Sequence, residues 1–327
     1  MMSENGVTQC AEKSPVIALL GPTASGKTST ALELAAHLPV SLISVDSVMI
    51  YRGMDIGSAK PAPAVLAEFP HELVDICDPS ESYSVSNFCH DALAAIDRAD
   101  AAGRVPLLVG GTMMYFQALL DGLSTLPSTD PDIRAAVQAE AERLGWSALH
   151  AQLQQVDPEV AARVHPNDPQ RIGRALEVFH ATGKPLSRWQ RENPPRSPLG
   201  DRIVHRFGLW PASRAHAREA MAERFDMMLA DGLLDEVRRL KDRGDLDPGM
   251  PSIRAVGYRQ VWDYLDGVTD FDRMRFLAIT ATRQLAKRQI TWMRGQSTTR
   301  FYPTEQRDEL LAQMQRIVAQ AELASPG

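Results

Sequence analysis

Apolar residues along this chain follow two rhythms. Short, nearly unbroken apolar runs recur at Val16-Ile17-Ala18-Leu19-Leu20, Val40-Ser41-Leu42-Ile43-Ser44-Val45, Leu73-Val74-Asp75-Ile76, Val105-Pro106-Leu107-Leu108-Val109 and 203–210. Each has the length of a strand buried on both faces. Between them, segments 29–37, 84–102 and 113–120 carry apolar residues at helical spacing, the second closed by Gly103. Strand–helix alternation predicts an α/β core: a parallel sheet flanked by helices, with right-handed crossovers.

The rhythm changes beyond Gly122. Leu126-Pro127-Ser128-Thr129-Asp130-Pro131 is turn-rich, with Asp130 placed to cap a helix. Helical patterns then cover 132–144, 146–155, 158–164 and 170–182, and 192–200, with three prolines, leads out. An all-helical insertion at 123–202 is expected, interrupting a core built from 15–122 and 203–327. After the returning strand, helices are expected at 213–230, 233–243, up to Asp266 and at 270–294. The polar residues 1–14 are expected to be disordered.

Composition narrows the class. With 44% apolar and 23% charged residues among 327, the chain reads as a soluble globular protein. No apolar run approaches the ~20 residues that span a bilayer. Cys10, Cys77 and Cys89 form no CxxC pair, so a reducing cytoplasm, with neither disulfide nor structural zinc, is expected. A net charge of −6 argues against broad nucleic-acid binding, yet 273–300 holds seven Lys/Arg and no acid. Arg283, Lys287 and Arg294 fall along one side of a helix there, with Met274, Leu277, Ala281, Leu285 and Trp292 free to face a core. Segregated cations in an acidic chain point to a phosphate-backbone surface. Trp292, Tyr258 and Phe276 could stack on bases, although single aromatics at helical spacing more often belong to the core.

The strongest chemical signal is Gly21-Pro22-Thr23-Ala24-Ser25-Gly26-Lys27-Thr28, which fits G-x-x-x-x-G-K-[ST] between the first strand and first helix. Loop amides and the helix N-terminus make a concavity for a di- or triphosphate, such as that of a bound nucleotide. Lys27 adds a cation, and the Thr28 hydroxyl is placed to reach Mg²⁺ on the phosphate. Asp46 ends the second strand at the crevice of an open α/β sheet. It reads either as a helix cap or water-mediated Mg²⁺ ligand, or as a general base beside the phosphate site. Arg171, Arg174 and Arg224 are surface arginines by default. A diphosphate site nevertheless needs a further cation, so one distant Arg should converge on it.

Taken together, these segments resemble the bacterial tRNA dimethylallyltransferases. The resemblance rests on GPTASGKT at 21–28, ISVDSVMIY at 43–51, GMDIGSAK at 53–60, LLVGGTMMYF at 107–116, HPNDPQRIGR at 165–174, PSIRAVGYR at 251–259 and TRQLAKRQITWMR at 282–294. It implies transfer of a five-carbon prenyl group from dimethylallyl diphosphate to N6 of adenosine-37 in tRNA, on a P-loop-type core. The P-loop would then hold the diphosphate leaving group, with Thr23, Ser25, Lys27, Thr28, Mg²⁺ and Arg224. Asp46 would take the N6 proton, and Thr112 would line the channel. The resemblance puts tRNA contacts on Asp46-Ser47-Val48-Met49, Thr112, Arg134, Gln170-Arg171-Ile172-Gly173-Arg174, Arg254-Ala255-Val256-Gly257-Tyr258-Arg259 and Lys287-Arg288-Gln289-Ile290-Thr291-Trp292-Met293-Arg294. The insertion would clasp the anticodon stem-loop, and the enzyme would be a cytoplasmic monomer. Three alternatives remain: a small-molecule P-loop kinase, prenyl transfer to free AMP or ADP, and a nucleotide-gated RNA-binding module. The acid-free basic segment serves no purpose in the first two.

Overall fold

A computed structural model describes residues 13–124, 126–127 and 130–324. Residues 1–12 of the expected disordered segment, with Cys10, lie outside these, as do Ser128 and Thr129. Two compact units form: the chain up to Leu120 together with Asp201 onward, and Asp121–Gly200.

The first unit begins with β1 (Val16–Leu20), α1 (Lys27–His37), β2 (Val40–Val45), α2 (Pro63–Glu68), β3 (His71–Glu72), α3 (Val85–Ala101), β4 (Val105–Gly110) and α4 (Met113–Leu120). The second unit contains α5 (Pro131–Leu144), α6 (Trp146–Val156), α7 (Pro158–Arg163), α8 (Pro169–Thr182) and α9 (Leu186–Glu192). The chain returns to the first unit with β5 (Val204–Trp210), α10 (Arg214–Ala230), α11 (Leu233–Asp242), α12 (Tyr258–Leu265), α13 (Phe271–Arg294), β6 (Arg300–Pro303) and α14 (Arg307–Ala324). No described helix is long and apolar enough to cross a membrane.

The sheet has six strands in the order β3-β2-β4-β1-β5-β6, all paired in parallel. Every residue of β1 is buried, as its central place requires. Ile17 and Leu19 join Ala31 and Leu34 of α1 and Leu310, Met314 and Val318 of α14 in one apolar cluster. Each of the larger of these side chains (Ile, Leu, Val, Met) contributes about 1.5–3 kcal/mol on burial. Arg307 fastens α14 to α1 by donating to Thr30 Oγ1 at 2.9 Å and pairing with Glu33. Neither β6 nor α14 is among the elements expected from the sequence, and α2 and α9 also go beyond it.

One expected strand does not form. Leu73 and Asp75 have φ of +64° and +56°, so 73–76 turns rather than extends. Lys60 pins that turn: its ammonium donates to Asp75 Oδ1 and Asp55 Oδ1 at 2.5 Å each and to Tyr51 O at 3.0 Å. The edge strand is His71–Glu72 instead, in register with Leu42 and Ile43.

Helix ends follow local capping rules. Ser84 and Asn87 form a reciprocal capping box on α3. Asp130 Oδ1 accepts the Asp132 N–H at 2.9 Å at the start of α5. In the second unit, Val137, Leu149, Leu153, Ile172 and Leu176 close one apolar cluster.

Candidate active site

The phosphate loop sits where β1 gives way to α1. Ala24 and Gly26 take left-handed backbone conformations, φ +60° and +79°, which turn successive amides toward one side. Gly26 is the N-cap of α1, with no side chain covering the helix end. The Ser25 Oγ is buried without a hydrogen-bond partner among the described residues, an orphan donor inside the loop. Lys27 Nζ donates to Pro22 O at 3.1 Å. Burial lowers the Lys27 pKa from 10.5 to about 8; the Asp46 carboxylate opposes this and the Arg224 guanidinium adds to it.

Arg224 reaches the same place from α10. Burial lowers its pKa and Asp46 raises it, so two cations and one carboxylate share a field. Asp46 stands at the end of β2, where its Oδ1 accepts the N–H groups of Val48 at 2.8 Å and Met49 at 3.2 Å. These bonds fix the carboxylate on the cavity wall. Thr112 accepts the Ser47 N–H at 3.1 Å and donates to Ser47 Oγ at 3.3 Å. Its hydroxyl is thus engaged with the loop after Asp46, while Val109, Gly110 and Gly111 form the wall.

The cavity has a volume of about 470 Å³ and brings together Thr23, Lys27, Thr28, Asp46, Arg224 and Gln289. Its remaining wall mixes Gly57, Ser58 and Ala59 with Met221, Phe225, Met228, Val256 and Leu285. The 57–59 wall is held from behind. Glu236, 1% exposed, accepts the N–H groups of Asp55, Ile56 and Gly57 at 2.8–3.1 Å and the Tyr258 hydroxyl at 2.7 Å. A Cβ on Gly57 would come within 2.6 Å of the Tyr258 ring, so only glycine lets the loop lie this close. Sequence reasoning missed Glu236, an acid on an amphipathic helix with no motif around it.

The chain matches the family model described as Isopentenyl transferase over residues 14–75 and that described as IPP transferase over residues 49–296. It belongs to the IPP transferase family. Proteins named tRNA dimethylallyltransferase from Thioalkalivibrio sulfidiphilus and Alkalilimnicola ehrlichii are 55% and 54% identical to it. The matches cover 96% and 93% of this chain and 97% and 96% of the relatives. The solved tRNA isopentenylpyrophosphate transferase from Bacillus halodurans is 34% identical, with a TM-score of 0.67 over 94% of this chain and 98% of that one. A eukaryotic dimethylallyltransferase acting on tRNA shares the fold, with a TM-score of 0.73 at 24% identity over 89% of this chain and 74% of that one.

In this IPP transferase family member, the expected RNA contacts separate by burial. Arg254, Lys287, Arg288, Thr291 and Arg294 are exposed and Ile290 and Trp292 half-buried, whereas Tyr258 and Met293 are fully buried in the core. In the second unit Gln170 and Arg171 are exposed, and Ile172 and Gly173 are buried. Tyr258, Met293, Ile172 and Gly173 therefore leave the set of surface contacts. Val256 and Gly257 face the cavity, and Ala255 is half-buried. Several cations are already paired. Arg171 pairs with Asp168, Arg134 and Arg174 each approach Glu177 at 3.6 Å, Arg259 holds Asp263 and Arg275 holds Asp226. Gln289, also expected on RNA, is buried and turned toward the phosphate loop.

Proposed function

We infer that this cavity is where the chain carries out its family's reaction, transfer of a dimethylallyl group to tRNA, with Asp46 taking a proton from the attacking amine. The observation that carries this reading is the opening of Lys27, Arg224 and the Asp46 carboxylate onto one cavity. The substrates are dimethylallyl diphosphate and the N6 amine of adenosine-37. As the new N–C bond forms, the C–O bond to diphosphate breaks and the diphosphate leaves with that electron pair. The loop amides, Lys27 and Arg224 receive the departing charge. An exocyclic adenine amine is a weak nucleophile, so Asp46 removes its proton as the bond forms. The target base is extruded from the anticodon loop to enter the cavity, and the exposed cations of α13 supply backbone contacts.

The residues present fit Mg²⁺. Thr28 offers a hydroxyl oxygen on the cavity wall. Mg²⁺ commonly takes one or two protein oxygens and completes its shell with phosphate and water. Thr28 would hold it, and when bound it would neutralise charge on the leaving diphosphate. The active species is taken to be a monomer.

The test incubates the protein with unmodified tRNA and Mg²⁺, with either dimethylallyl diphosphate or ATP, and follows mass added to the RNA. One prenyl unit per tRNA on adenosine-37, absent with Lys27→Ala, is expected. ATP consumption with phosphorylation of a small acceptor, and no gain on RNA, would overturn the assignment of the leaving group.

A further inference from the structure

Gln289 lies between Arg288 and Ile290 on α13, a few residues from exposed cations, yet it is only 8% exposed. Its amide spans two loops at the carboxyl edge of the sheet. Oε1 accepts the Thr23 N–H at 3.0 Å, and Nε2 donates to Gly111 O at 2.8 Å. One partner is only a donor and the other only an acceptor, so the orientation of the amide is fixed. Gly111 makes room for it: a Cβ there would meet Nε2 at 2.6 Å.

The Thr23 N–H belongs to the same peptide group as the Pro22 carbonyl, which accepts from Lys27 Nζ at 3.1 Å. That single peptide plane is therefore held at its N–H end by Gln289 and at its C=O end by the phosphate-loop lysine. Planarity makes the two contacts interdependent, because rotating the plane breaks both.

We propose that Gln289 is a positioning residue for the phosphate loop, orienting the Pro22–Thr23 peptide and with it Lys27 for the diphosphate, and that it does not contact RNA. The inference rests on the reading of the loop as a diphosphate site. It assigns the loop amides from Ala24 onward to the phosphate oxygens, since the Thr23 N–H is already taken. Glutamate would lose the donor to Gly111 O and place negative charge beside the anion site.

The test measures two affinities on each variant by calorimetry: inorganic diphosphate with Mg²⁺, and an unmodified anticodon stem-loop RNA. Gln289→Met should raise the diphosphate Kd about tenfold, as expected for losing a buried hydrogen-bond pair, and leave the RNA Kd within twofold. Gln289→Glu should weaken diphosphate further. Gly111→Ala, which pushes on Nε2 while Gln289 stays intact, should reproduce the split. A diphosphate Kd within twofold of wild type in Gln289→Met would overturn the proposal, as would an equal loss of both affinities. Loss of the folding transition in both Gln289→Met and Gly111→Ala would assign Gln289 to fold stability instead. Diphosphate binding needs no prenyl transfer, so an inactive transferase assay alongside an intact split would count against the proposed reaction and not against Gln289.

Discussion

Asp46 Oδ1 accepts the Val48 backbone N–H at 2.8 Å, so one carboxylate oxygen serves the loop while the group as a whole faces the cavity. Asparagine at 46 can keep that capping oxygen and place an amide nitrogen where Oδ2 was. Asp46→Asn should lower the single-turnover rate by about 10²–10⁴, the usual contribution of a general base. Donor and RNA affinities should stay within threefold. Rapid-quench kinetics checks this, and an undiminished rate removes Asp46 from proton transfer.

The depressed pKa of Lys27, about 8, gives donor binding a pH dependence of definite sign. The ammonium attracts diphosphate and the neutral amine does not, so affinity is lost as pH rises through about 8. Between pH 7 and 9 the charged fraction falls ~10-fold, and the Kd for dimethylallyl diphosphate without RNA should rise by nearly that factor. Lys27→Met should bind weakly and show no such dependence. The stability effect runs the other way. The unfolded chain holds this proton up to about 10.5, so the Lys27 contribution to stability increases from pH 8 to 10.5. Thermal melts across that range, wild type against Lys27→Met, read it directly.

Glu236 satisfies three backbone N–H groups and one hydroxyl inside the protein. Glu236→Leu leaves those donors without acceptors and should cost on the order of 3 kcal/mol in denaturant unfolding. A loss below about 0.5 kcal/mol would show that loop 55–58 holds its shape without the carboxylate.

Under the proposed function, the exposed cations of α13 meet RNA through its phosphates. Lys287→Ala and Arg288→Ala should each weaken RNA binding for every sequence alike. Each should also reduce the slope of log K against log salt by about 0.7–0.9. Unchanged slopes in both would move the RNA off this face.

Much of the site was legible because its signals are local. A glycine-rich turn between a strand and a helix, and an acid at a strand end, follow from neighbours in sequence. Gln289 was legible only as part of a basic helix, because its burial depends on Gly111 and Thr23, far away in the chain. Tyr258 likewise offers an aromatic ring in a basic segment, and only the approach of Glu236 and Gly57 turns it inward. The misplaced strand at 73–76 has the same origin. Its residues favour extension, but Lys60 and two carboxylates impose a turn that no local propensity encodes.

The packing of α14 on α1 has a consequence for synthesis. β1 and the phosphate loop are synthesised well before the arginine that anchors the loop's helix and the apolar residues that seal its far face. The second unit closes its own core from contacts within Asp121–Gly200 and can fold early. The nascent chain thus carries an uncovered central strand while everything between β1 and α14 is made, and emergence of α14, rather than of the motif, is the step that completes the packing around the phosphate loop.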